Sequence, residues 1–206
     1  ATGGFSTHNA SIGGYDSWAV DLITIVFMVL AGVNFGLYYQ LARRRFGTVW
    51  RDPELRTYLG ILFVATVIIA FSIYGRSSTL MTGDQRVVGV AEAARESAFQ
   101  VVSIQTTTGF STADFNLWGF VPQAVLVTLM FVGASAGSTG GGIKVIRILV
   151  AAKVMFAELE RVFRPNVVRT TRVGTGVVDP EMKQAVLVYV LGIVVLFLLG
   201  TVALKL

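Results

Sequence analysis

Thr106-Thr107-Thr108-Gly109-Phe110-Ser111-Thr112 lies between a helical pattern of mixed polarity and a long apolar one. It has an echo. Thr2-Gly3-Gly4-Phe5-Ser6-Thr7 gives the same T-x-G-F-S-T pattern 105 residues earlier, five of six positions being identical and Gly3 standing against Thr108. Such a repeat says that the chain carries successive copies of one unit. Glycine reaches backbone angles closed to other residues, so carbonyls can crowd round an axis. Hydroxyl side chains add further oxygens, and a ring of oxygens can replace the hydration shell of an alkali cation. One copy alone would read more readily as a Thr- and Gly-rich surface turn. The repeat, together with a membrane setting, favours the cation reading.

Composition supplies that setting. Of 206 residues, 54% are hydrophobic and only 14% charged, against about a quarter charged in soluble domains. Mean hydropathy is +0.70. Without cysteine there is no disulfide or thiolate metal site, and the single histidine, His8, excludes a multi-histidine site within the chain. The net charge of +5 is distributed between apolar spans. That argues for membrane topology rather than nucleic-acid binding. The chain opens inside a copy of the repeat and ends in an apolar run, so it reads as a piece of something longer.

Outward from the quoted stretch, the spans follow in order. A helix is expected from about Trp18 to Leu41, with Asp21 in its first turn complementing the helix dipole. Arg43-Arg44-Arg45 stop it, and a short arginine-rich cytoplasmic linker leads to Asp52-Pro53-Glu54, an N-cap, first-turn proline and first-turn acid. A second span should run from about Leu55 to Tyr74. The segment from about Val90 to Gln105 is helical but too polar and short to span a core of about 30 Å. Leading into the Thr-Gly stretch, it reads as a re-entrant pore helix, with a surface amphipathic helix as the alternative.

The next apolar span, Phe120 to Ala136, is interrupted by Gly137-Ser138-Thr139-Gly140-Gly141-Gly142 and resumes from Ile143 to about Phe163. Four glycines in six residues disfavour helix by about 1 kcal/mol each. The span is therefore broken, either as a plain linker or as a flexible loop lining a cavity beneath a pore. Lys144 and Arg147 follow, to repel ions or to snorkel to the cytoplasmic interface. Val167 to Val178 reads as a small hairpin around Gly174-Thr175-Gly176, and Asp179-Pro180-Glu181 caps a final span from about Met182 to Leu204. Thirteen basic residues fall on one side of these spans and three on the other, so both T-x-G-F-S-T copies face outward. The expected domains are 1–54, the end of one repeat; 55–180, a whole repeat of span, half-helix, Thr-Gly loop and broken span; and 181–206, the start of the next.

The stretches 2–16 (TGGFSTHNASIGGYD), 105–115 (QTTTGFSTADF) and 133–147 (GASAGSTGGGIKVIR) resemble the membrane subunit of the Trk/Ktr/HKT potassium transporters. The resemblance covers nearly the whole chain and corresponds to the middle and later part of such a subunit. It implies an all-α membrane protein with four span–pore-helix–filter–span repeats around a pseudo-fourfold pore, in the cell inner or plasma membrane. It implies that K+ is held at Thr2, Gly3 and Gly4 and at Thr107, Thr108 and Gly109. It matches Gly137, Ser138, Thr139, Gly140, Gly141, Gly142 and Lys144 to the intramembrane gating loop. It further implies a homodimer with a cytoplasmic nucleotide-binding regulatory subunit, K+ as the transported ion, and no organic cofactor. One departure stands out: many relatives have Asn-Ala-Gly-Phe-Ser where this chain has Thr2-Gly3-Gly4-Phe5-Ser6. Two filter strands lie outside the chain, so a Na+-permeable relative of the same superfamily is the nearest alternative.

A membrane-embedded enzyme is the distant one. Asp21, Glu92, Glu96 and Asp114 are its candidate acids. They are scattered without paired-carboxylate spacing, and Asp21 and Glu92 read better as helix N-terminal charges. A non-transporting scaffold is the third reading. His8 receives no role.

Overall fold

A computed structural model describes residues 3–163, 172–173, 176–177 and 179–203. Its described residues form two compact units, residues 1–145 and 146–206.

The first unit is built round one buried helix. Helix α1 spans Trp18–Ala31, α2 Phe35–Ala42, α3 Phe46–Trp50, α4 Pro53–Ile73, α5 Val90–Gln105 and α6 Phe120–Phe131. Strands β1 (Ser77–Thr79) and β2 (Gln85–Val87) pair antiparallel between α4 and α5, with Ser78 opposite Arg86. Helix α5 packs against α1, α4 and α6. It is covered nearly all round, with Phe99 and Val101 buried together with Glu96, Ser97, Gln100, Ser103 and Gln105. A surface amphipathic helix would leave its polar face wet, so that alternative fails. Sixteen residues make about 24 Å of helix, short of a full crossing.

Helix α4 starts as its sequence dictates. The Asp52 carboxylate accepts from Leu55 N at 2.7 Å, and Pro53 occupies the first turn, where no N–H is needed. It is 21 residues long and apolar enough to cross a membrane.

Three expectations need correction. The helix expected from Trp18 to Leu41 is two helices, α1 and α2, bent by 94°. Gly32 sits at the break, where an added Cβ would run into the Tyr58 hydroxyl, and Asn34 caps α2 through Gly36 N at 2.8 Å. An apolar run hides this break because Val33 and Phe35 flank it. The linker after α2 carries a short helix, α3. The span expected to reach Ala136 ends at Phe131, and helix resumes at Val145 rather than Ile143.

The second unit holds α7 (Val145–Phe163), paired strands β3 (Arg172–Val173) and β4 (Gly176–Val177), and α8 (Pro180–Ala203). β3 and β4 pair antiparallel, as the hairpin expectation requires; Gly174 and Thr175 lie outside the described residues. Val150, Val154 and Val186 form a small core flanked by Ala151 and Val190. The Arg147 guanidinium lies 4.1 Å from the Tyr189 ring centroid. Helix α8 is also long and apolar enough to span.

Candidate functional site

The chain between α5 and α6 returns on itself beneath the C-terminal end of α5. Thr106 N and Thr106 Oγ1 both donate to Val102 O, and Thr108 N and Gly109 N both turn back to Ser103 O at 2.9 and 3.4 Å. The Ser103 hydroxyl donates to Phe110 O at 2.6 Å. Gln100 Nε2 donates to Ser111 Oγ and Ala113 O. The last carbonyls of α5 are thus occupied by the loop they precede, and one face of α5 grips residues 108–113 from behind. That face reads as polar residues in a short helix, and in the fold it is a scaffold.

The two Thr-Gly loops, 105 residues apart in sequence, lie against each other. Gly3 N donates to Thr108 O at 3.2 Å. Gly4 and Gly109 are in the left-handed region at φ +66° and +81°. A Cβ on Gly4 would come 2.6 Å from Gly109 O, and one on Gly109 would come 3.3 Å from Gly4 Cα. Glycine is therefore required twice over, by angle and by space. The clamp continues outward: Ser111 N donates to Ser11 Oγ at 3.1 Å and Gly13 N to Ser111 O at 3.0 Å. Of the six expected coordinating residues, Gly3, Gly4, Thr107, Thr108 and Gly109 are thus brought together. Thr2 lies outside the described residues.

The glycine-rich loop, residues 132–144, docks on the opposite end of this arrangement. Its ends close through Gly133 N to Ile143 O and Ile143 N to Phe131 O, both 3.0 Å. It then fills the break between α1 and α2. Ser135 N donates to Gly32 O, Thr139 N to Ala31 O, and Phe35 N to Gly137 O, at 3.1–3.2 Å. Two interrupted helices therefore satisfy each other's freed backbone groups, the condition for irregular chain at membrane depth. The Glu54 carboxylate accepts from Ala136 N at 2.6 Å, and Lys144 Nζ donates to Gly140 O. Gly141 N donates to Thr107 Oγ1 at 2.8 Å, joining this loop to the Thr-Gly loop. Sequence reading singled out Gly137, Ser138, Thr139, Gly140, Gly141, Gly142 and Lys144 but missed Glu54, whose partner is 82 residues away.

Two ion pairs, one buried on both sides and one with a partly exposed arginine, hold the N-terminal half of α5. Arg95 Nε meets Asp21 Oδ2 at 2.6 Å, and the guanidinium also lies 4.9 Å from the Trp18 ring centroid. Glu96, 1% exposed, accepts from Ser78 Oγ at 2.7 Å and Arg86 Nη2 at 2.8 Å; Trp118 Nε1 reaches the same Ser78. Asp21 lies in the first turn of α1, as expected, and the fold gives it a further role. It is a buried partner of Arg95.

The sequence model of the TrkH family, described as a cation transport protein, matches residues 1–206. The chain belongs to this family. It is 39% identical over 190 residues to the Trk system potassium uptake protein TrkH of Escherichia coli, covering 90% of this chain and 37% of that protein. It is 40% identical over 200 residues to TrkH of Halomonas elongata, covering 97% and 40%. The crystal structure of the potassium transporter TrkH from Vibrio parahaemolyticus superposes with a TM-score of 0.83 at 34% identity, covering 98% of this chain and 42% of that one. The chain thus spans about two fifths of the length of the TrkH relatives it matches. The family is one of membrane transport proteins rather than of enzymes, and helices α4 and α8 are long and apolar enough for a membrane setting.

Proposed function

We propose that this chain is the middle-to-late part of the pore-forming subunit of a Trk/Ktr-type K+ uptake system. Carbonyl oxygens at Thr2, Gly3, Gly4, Thr107, Thr108 and Gly109 supply two quarters of a selectivity filter, and residues 137–142 with Lys144 form the gate. The observation that carries this reading is the direct contact of Gly4 and Gly109, two left-handed glycines from distant copies of one motif. Neighbouring filter strands must approach this closely to share an axis. The Gly3 N–H on Thr108 O does not oppose it, since a carbonyl has a second lone pair for an ion. The buried α5 ends at the filter strand, so the negative end of its dipole adds to the cation field.

The whole transporter, in this reading, comprises four repeats, of which residues 55–180 are one. It works as a homodimer with a cytoplasmic nucleotide-binding subunit, whose change of state moves the glycine-rich loop. The relatives, named as potassium uptake proteins, support K+ as the ion. The test is rubidium flux into liposomes holding the full-length subunit and its cytoplasmic partner. Rubidium uptake that excess K+ suppresses, and Na+ does not, is the expected result. Equal suppression by Na+ assigns the chain to the Na+-permeable branch. Absence of any alkali-cation flux from a folded, partnered protein overturns the reading.

A further inference from the structure

We propose that the Thr107 hydroxyl couples the glycine-rich loop to the filter strand, so that ion occupancy and loop position are read through one side chain. The inference rests on the functional reading above and extends it. Thr107 is the only residue of the Thr-rich stretch that is not glycine and yet lies at positive φ, +54°. A β-branched residue in that region is rare, and such strain persists only where surroundings impose it. Here the surroundings are two hydrogen bonds. The hydroxyl donates to Thr106 O at 2.7 Å and accepts from Gly141 N at 2.8 Å. One proton and one lone pair are thereby used, in a chain running from loop amide through hydroxyl to a backbone carbonyl at the base of the filter strand.

The packing agrees. A Cβ built on Gly141 would lie 3.5 Å from Thr107 Cγ2 and Oγ1, and one on Gly140 would lie 3.4 Å from Thr106 O. Both glycines thus face these threonines with room for little more than a methyl group between them. On its other side the same loop is tied to Ala31 and Gly32, at the α1–α2 break, and to Glu54. A displacement of the loop that frees Gly141 must leave the Thr107 hydroxyl without its donor, and the strained backbone without one of the contacts that fixes it. Conversely, an ion drawing the carbonyls of Thr107 and Thr108 toward the axis fixes the Thr107 backbone and so holds the loop amide. Thr107 is a positioning residue in this role, in addition to any oxygen it gives the ion.

The test uses the full-length subunit and follows hydrogen–deuterium exchange of the peptide containing residues 137–144, with and without K+, beside rubidium flux with the partner in its closed state. In the parent, K+ should slow exchange of this peptide. Thr107→Val should abolish that K+ dependence and raise closed-state flux roughly three- to tenfold, the scale of one lost hydrogen bond. Thr107→Ser, which keeps the hydroxyl, should rescue both readouts. K+ protection as large in Thr107→Val as in the parent overturns the coupling, as does a parent that carries rubidium without any K+ effect on the loop. A parent with neither flux nor K+ protection overturns the transporter reading itself.

Discussion

At Gly4 and Gly109 angle and space act together. An L-residue in the left-handed region costs about 1–2 kcal/mol, and a methyl on Gly4 would also press on Gly109 O at 2.6 Å. Gly4→Ala should therefore cut rubidium uptake at least tenfold while leaving the solubilised protein folded, as checked by size exclusion and thermal melting. Unchanged uptake would separate Gly4 from the ion path. The charged residues of α5 obey different physics. Asp21 and Arg95 are both buried, so removing one partner leaves an uncompensated charge, at about 3–5 kcal/mol. Asp21→Ala should lower the melting temperature sharply, and the double variant Asp21→Leu with Arg95→Met should recover most of the loss. A double variant no better than the single would show that the pair is not the unit of stability. Neither carboxylate could be paired from sequence. Arg95 finds Asp21 at a separation of 74 residues, and Glu96 finds Ser78 and Arg86 through a hairpin.

At the scale of elements, the break between α1 and α2 and the glycine-rich loop support each other. Each satisfies only part of its freed backbone internally and takes further partners from the other. Ala31 O and Gly32 O receive the loop's N–H groups, and Gly137 O receives Phe35 N. Gly32 permits the approach, because a Cβ there would meet the Tyr58 hydroxyl. Gly32→Ala should destabilise by about 1–3 kcal/mol through overpacking. Tyr58→Phe on that background removes the obstructing oxygen and should restore part of it, read as melting temperature in detergent. If Tyr58→Phe restores nothing, the clash lies elsewhere. The loop's glycines announced themselves in the sequence. The first break did not, since a single glycine in an apolar run is compatible with continuous helix. Only the 94° bend distinguishes the two.

For the whole molecule, charge predicts a topology. Arginines cluster between α2 and α4, whereas few basic residues lie between α4 and α6. The chain has no cysteine, so an introduced thiol is the only one in these residues. Thr82→Cys, exposed at the turn between β1 and β2, should react with a membrane-impermeant maleimide added outside intact cells. Thr48→Cys, exposed on α3, should react only after permeabilisation. The reverse pattern would overturn this orientation and place both Thr-Gly loops in the cytoplasm.

Sequence by itself determined the membrane class, the position of α4, α5 and α8, the broken span, the repeat and the family. These depend on runs of apolar residues, local caps and glycine-dense motifs, all of which act over a few residues. Tertiary structure decided that Gly4 touches Gly109, that Asp21 pairs with Arg95, that Glu54 holds Ala136, and that Thr107 joins the Thr-Gly loop to the glycine-rich loop. Each of those joins elements remote in the chain, where periodicity carries no information. Burial in a low-dielectric interior is what forces such polar groups to find one another.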